Sequence, residues 1–290
     1  MSTQTGLVTG SFGHRLRVEA KGQVFDCVMR GKQSGVACGD RVEIRQTGSD
    51  QAVIEKLLPR DNLLYRSVAH RSKLIAANVD LIVIVVAPVP AWHEALLNRC
   101  LVAAEAAGIP ALLCINKSDL PQAAETRAQL DGYETLGYRL LQVSAHGDTR
   151  MLAEALHDRT SVLVGQSGMG KSSLINALVP SAASATGEIS VALDSGRHTT
   201  TGARMYRLES GGRIIDSPGM QTFGLHQIAA EQLDRMFPEF RPWIGQCRFS
   251  NCRHRHEPDC AVQRAAEAGS IRPSRMAAYL DILTELERAR

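Results

Sequence analysis

The chain has 290 residues, enough for about two domains, with 44% hydrophobic and 22% charged residues, an ordinary globular composition. A net charge of +3 excludes any argument for nucleic-acid binding from the total; only local basic clusters could carry one. The longest apolar run, LIVIVVA at 81–87, is too short to span a bilayer, and MSTQTGLVTG lacks the basic-then-apolar layout of a signal peptide. We therefore expect a cytoplasmic monomer with no membrane partner.

Short alternating runs come first: HRLRVEA (14–20), VFDCVM (24–29), DRVEI (40–44) and QAVIEKLL (51–58), separated by glycine-bearing turns. This spacing predicts a small β-barrel, either an OB-fold or an SH3-like barrel. Next, VDLIVIVVA (79–87) reads as a parallel strand buried on both faces. Residues 93–108 place Leu96, Leu97, Cys100, Leu101 and Ala104 at helical intervals, ending at Gly108. PALLCI (110–115), LLQVS (140–144) and SVLVG (161–165) are further strands, and ARMYRL (203–208) and RIID (213–216) flank a turn. Alternating strands and helices predict an α/β, mostly parallel, doubly wound sheet.

Candidate chemistry sits at the ends of these strands. Asn116, Lys117, Ser118 and Asp119 follow PALLCI, where ligands of open α/β sheets bind. The Asp119 carboxylate suits guanine, whose N1–H and N2–H it can accept; adenine offers no such donor pair, and an unpaired buried group rejects the wrong base. Asn116 would bond the base's other edge and the Lys117 stem would cover the ring. Ser144 and Ala145, 28 residues after the asparagine, would supply a backbone N–H to the guanine oxygen.

Gly165, Gln166, Ser167, Gly168, Met169, Gly170, Lys171 and Ser172 fit the phosphate-loop spacing between a strand and a helix, with Ser173 following. The glycines let backbone N–H groups turn toward phosphates, and a helix N-terminus favours their charge. Lys171 would reach the β- and γ-phosphates and Ser172 would ligate Mg²⁺. Downstream, GRHTTTG (196–202) offers Thr199, Thr200 and Thr201, of which Thr200 is favoured as a Mg²⁺ ligand. Asp216 opens DSPG, holding Mg²⁺ through water, and the Gly219 N–H would sense the γ-phosphate. Met220 stands where many GTPases place a water-orienting glutamine, Gln221 is one residue late and Arg197 is a weak arginine finger. Basal hydrolysis is therefore expected to be slow, with His198 a candidate to orient the attacking water.

Of seven cysteines, Cys27, Cys38, Cys100 and Cys114 lie in apolar stretches, as buried thiols do. The other three form Cys247-x₄-Cys252-x-His254-x₅-Cys260, a closed set for one structural zinc, with His256 the alternative fourth ligand. Arg241, Arg248, Arg253, Arg255 and Arg264 surround it and suggest contact with a phosphate backbone. The last segment places Met276, Leu280, Leu283 and Leu286 on one apolar stripe.

The base reader precedes the phosphate loop, opposite to the usual order. In a parallel sheet, joining the old termini and cutting elsewhere changes the order of strands but leaves each loop at the same edge. The order is that of a circular permutation.

Taken together, GQSGMGKSSL, GRHTTT, DSPG, NKSDL and the cysteine–histidine knot resemble the bacterial ribosome small subunit-dependent GTPase A family, RsgA or YjeQ, over nearly the full length. The resemblance implies an N-terminal OB-fold (1–62), a circularly permuted GTPase domain (63–224) and a C-terminal helical zinc-binding domain (225–290). It also implies GTP/GDP with Mg²⁺ as ligand, and the small ribosomal subunit with its rRNA as partner late in maturation. Two other classes stay open: a P-loop kinase or ATPase, which the guanine motifs oppose, and a zinc-dependent nucleic-acid-binding protein, which intact Lys171, Ser172 and Asp216 oppose.

Overall fold

The computed structural model describes residues 3–13, 15–31, 35–68, 71–180, 182, 202–216 and 223–288. Five strands come first: β1 (Gln4–Phe12), β2 (Arg15–Ala20), β3 (Gln23–Met29), β4 (Arg41–Gln46) and β5 (Gln51–Leu57). They pair in the order β1-β2-β3-β5-β4, and β4 returns to β1, with Gln4 opposite Ile44. The closed order, with β3 and β5 parallel, is that of an OB-fold. Alternate residues face in, so Val8, Leu16, Val18, Phe25, Val42, Ile44 and Ile54 fill the barrel.

A hairpin follows, β6 (Leu63–Val68) and β7 (Arg71–Ala77), which the sequence reading did not anticipate. The second unit then runs β8 (Leu81–Val86), α1 (Glu94–Ala107), β9 (Ala111–Ile115), α2 (Ala123–Glu134) and β10 (Arg139–Gln142). It continues with α3 (Arg150–Leu156), β11 (Thr160–Val164), α4 (Lys171–Leu178), β12 (Ala203–Arg207) and β13 (Arg213–Asp216). The strand order β10-β9-β8-β11-β13 is parallel throughout; β12 adds antiparallel at the edge. Every β8 residue is buried, Ile82, Ile84 and Val86 on the α1 side and Leu81, Val83 and Val85 on the α4 side. Gly108 ends α1 in the left-handed region at φ 65°. All of β9, β8, β11 and β13 therefore end at one edge, which is where the site forms.

Past Phe223 the chain makes two 3₁₀ turns (Ala230–Met236 and Pro238–Trp243), then α5 (Ala261–Glu267) and α6 (Pro273–Arg288). Phe237, Phe240, Tyr279 and Leu283 join the same apolar cluster as Leu97 and Leu101 of α1, so this region packs on α1 and, through it, on the parallel sheet. The α6 face differs from expectation. Leu283 and Leu286 are buried, but Met276 and Leu280 only partly, and Arg275 in the first turn is buried too, 1% exposed. Among the described residues no helix is long and apolar enough to cross a membrane.

Candidate nucleotide site and metal centre

The loop from β11 into α4 carries Gly165, Gln166, Ser167, Gly168, Met169 and Gly170, and Lys171, Ser172 and Ser173 form the first turn of α4. The Lys171 ammonium folds back on the loop, donating to the carbonyls of Gly165 (2.6 Å) and Gln166 (2.8 Å). Burial lowers its pKa, and the negative charge of Asp216 works against that. Asp216 ends β13 beside it; burial raises its carboxyl pKa while Lys171 opposes the rise. The pair brings a cation from the phosphate loop and a carboxylate from the neighbouring strand to one place, as metal-assisted phosphoryl transfer requires.

The two guanine motifs and the phosphate loop are tied by one side chain. Asn116 is 1% exposed; its Nδ2 donates to the Met169 carbonyl (2.9 Å) and its Oδ1 accepts from the Ala145 N–H (3.1 Å). Sequence reading gave Asn116 an edge of the base and gave Ala145 the base oxygen. The structure adds a bridging job, in which both groups hold three loops in register. Gly170 makes the bridge possible, because a Cβ there would stand 2.3 Å from Asn116 Nδ2. Lys117, at φ 59°, sends its ammonium across the loops to the carbonyls of Val89 (2.6 Å) and Gly168 (2.9 Å). The Ser118 N–H donates to the Val143 carbonyl at 3.1 Å, fastening the turn at 116–119 to the strand before Ser144.

Asp119 is exposed, so the burial expected of it is not seen in this structure. The Ser144 hydroxyl holds its carboxyl below the usual range, keeping it an ionised acceptor. One contributor was invisible in the sequence. The segment between β8 and α1 offers the Val89 carbonyl to Lys117 and the Ala91 carbonyl to Gln166 (3.2 Å). Backbone acceptors leave no residue-type signal. Arg197, His198, Thr199, Thr200, Thr201, Gly219, Met220 and Gln221 lie outside the described residues.

A second cluster lies between the 3₁₀ turns and α5. Ligand atoms of Cys247, Cys252, His254 and Cys260 all fall within 4.8 Å of one another. The Cys247 and Cys260 sulfurs are 3.8 Å apart, and His254 Nδ1 stands 3.6 and 3.3 Å from them. Zn–S bonds of about 2.3 Å at tetrahedral angles give an S···S edge of about 3.8 Å, so this donor set fits a zinc ion. His254 Nε2 is buried and has Asp234 Oδ2 at 3.5 Å, long for a hydrogen bond but the charge that faces it. His256 is exposed and outside the cluster.

The arginines around the knot are less free than their density suggested. Arg241 pairs with Glu105, Arg248 with Asp259, Arg253 with Glu231 and Arg255 with Glu287. Three of these acids are far away in sequence, so only the fold reveals the pairing.

A model of the RsgA GTPase family matches residues 57–226. A Nitrosospira multiformis protein named small ribosomal subunit biogenesis GTPase RsgA is 50% identical over 289 residues, covering 98% of this chain and 92% of that protein. A Neisseria meningitidis protein of the same name is 50% identical over 283 residues, covering 97% of this chain and 92% of its own. Among solved structures, YjeQ from Thermotoga maritima superposes with a TM-score of 0.77 at 31% identity, covering 98% of this chain and 99% of that one. YloQ, described as a circularly permuted GTPase, gives 0.74 at 28% identity, covering 100% and 96%. The permuted motif order, the assembled nucleotide site and these full-length likenesses agree: the chain belongs to the RsgA GTPase family and is a GTP hydrolase.

Proposed function

We propose that this chain binds the small ribosomal subunit through its rRNA late in the subunit's maturation, and that the subunit stimulates GTP hydrolysis. The observation that carries this reading is 50% identity across 98% of the chain to a protein named for small-subunit biogenesis. We read the chain as an OB-fold (1–62), a permuted GTPase domain (63–224) and a zinc-binding helical domain (225–290), acting as a cytoplasmic monomer.

In this reading Asp119 selects guanine, and the N–H groups of Gly168, Gly170 and Lys171 meet the phosphates. The Lys171 ammonium leaves its two loop carbonyls for the β- and γ-phosphates. Ser172, Thr200 and Asp216 would hold Mg²⁺, which would neutralise charge developing on the phosphate oxygens. The Gly219 N–H senses the γ-phosphate, and His198 orients the attacking water once the subunit engages. Cys247, Cys252, His254 and Cys260 would hold one zinc ion, and a donor set of four protein groups would make its role structural.

The test is sedimentation with purified small subunits in the presence of a non-hydrolysable GTP analogue or GDP. Co-sedimentation strengthened by the analogue is expected. Equal failure to pellet with either nucleotide would refute the assignment of the partner.

A further inference from the structure

Three consecutive residues between β8 and α1 touch the phosphate loop and the turn at 116–119. The Val89 carbonyl accepts from Lys117 Nζ at 2.6 Å, and the same ammonium donates to the Gly168 carbonyl at 2.9 Å. The Pro90 ring lies against Gly168, where a Cβ would stand 2.9 Å from Pro90 Cγ and 3.0 Å from Cδ. The Ala91 carbonyl accepts from Gln166 Nε2 at 3.2 Å. Behind them Trp92, Leu96 and Leu97 line a small apolar cavity together with Gly165, Gln166 and Met169.

The loop is gripped at each end by groups already fixed in the sheet. At its start a Cβ on Gly165 would stand 2.3 Å from the Val85 carbonyl oxygen of β8, and near its end Asn116 holds the Met169 carbonyl at 2.9 Å. Gln166 adds a tether between those points. Only the amide N–H₂ can face a carbonyl, so this orientation turns Oε1 inward, where it is buried with no partner among the described residues. A side chain that only filled space would be apolar here and would strand no buried oxygen. The amide is therefore present for the bond it makes to Ala91.

We propose that Gln166 is a positioning residue for the nucleotide: its amide docks the phosphate loop on residues 89–91, so that the loop's N–H groups hold one arrangement before any phosphate arrives. The inference rests on the reading of 165–172 as the phosphate loop. Donors already in place bind a ligand without first giving up conformational freedom, whereas a loop released from Ala91 has to be ordered by the nucleotide itself. The loss falls on GTP and GDP alike, because both carry phosphates that the loop cradles. Weakening substrate and transition state equally raises KM and leaves kcat alone.

The experiment compares full-length wild type, Gln166→Ala, Gln166→Met and Gln166→Glu for basal kcat, KM for GTP and the dissociation constant of GDP. In Gln166→Ala, KM and the GDP constant should rise together by roughly ten-fold, the order expected for one hydrogen bond, with kcat changed by less than about two-fold. Gln166→Met fills the same space without a donor and should show most of that loss. Gln166→Glu sets a carboxylate against the Ala91 carbonyl and should lose more. Wild-type constants in Gln166→Met would mean that packing alone places the loop and would overturn the proposal. A fall in kcat at unchanged KM in Gln166→Ala would overturn it too, since that is the sign of lost active protein. Lys171→Ala separates the two possible failures. Wild-type GDP affinity in that variant would refute the phosphate-loop reading itself; weakened affinity there, beside unaffected Gln166 variants, would refute only the role of Gln166.

Discussion

Arg275 of α6 donates from Nη1 to the side-chain oxygen of Asn98 on α1 at 2.8 Å, across the contact between the C-terminal region and the nucleotide-binding sheet. Its other nitrogens grip Glu239 at 2.5 and 3.2 Å, and the Phe237 ring lies 4.5 Å from the guanidinium carbon. The Tyr133 hydroxyl of α2 donates to the same Asn98 oxygen at 2.9 Å. Removing one partner of a buried ion pair strands the other, at about 3–5 kcal/mol. Arg275→Ala should destabilise the protein by that order in urea unfolding. Adding Glu239→Leu should recover part of the loss, because no lone carboxylate then stays buried. An Arg275→Ala variant as stable as wild type would remove the pair from the account.

Asp119→Asn should turn the base preference from guanine to xanthine. The amide would oppose the guanine N2–H₂ donor, whereas xanthine presents an acceptor there. GTP affinity should fall roughly a hundred-fold, as expected when a charged acceptor is lost and a donor left unmatched. Full GTP affinity in a competition assay with xanthosine triphosphate would mean that another group reads the base.

Much of this was legible in the sequence where one physical constraint acts alone. LIVIVV and SVLV could be read as strands because burial on both faces demands an unbroken apolar run. The phosphate loop and NKSD could be read because their chemistry fixes residue types at fixed spacing. β1 was missed because QTGLVTGSF is broken by Gly6 and Gly10, which lower strand propensity, yet those positions face close neighbours. The burial of Arg275 left no signal in the sequence because its partners, Glu239 and Asn98, come from elements that only the tertiary fold brings near. The bridge made by Asn116 is likewise a property of three loops together, not of any one of them.

The cysteine knot should hold the C-terminal region together without taking part in the chemistry. Cys252→Ser should loosen that region, seen as lower Tm and faster amide exchange in α5 and α6, and lower zinc content by metal analysis. Basal GTP turnover should change far less. A zinc-selective chelator that stops turnover with Mg²⁺ in excess, while the sheet stays folded, would make the zinc catalytic instead.

Glu257 supplies the expected pH dependence of this region. Burial alone would raise its pKa, but N–H groups of Arg253, Arg255 and His256 converge on the carboxylate and hold it at about 2, from an ordinary 4.5. A carboxyl depressed on folding stabilises above its unfolded pKa and loses that contribution as pH falls through the folded one. The contribution should therefore fade between about pH 4.5 and 2. Glu257→Gln should lower stability at pH 7, and the gap from wild type should close in acid. A gap that stays constant down to pH 2 would contradict this.

The most direct test is GTP turnover by the wild-type protein and by Lys171→Ala, each alone and with saturating purified small subunits. Groups missing from the chain and supplied in trans are worth roughly a thousand- to a hundred-thousand-fold in characterised GTPases, so stimulation of at least roughly a hundred-fold is expected of the wild type. Lys171→Ala should be inactive in both conditions with its fold intact. Equal wild-type rates with and without subunits, or persistent turnover by Lys171→Ala, would contradict the account.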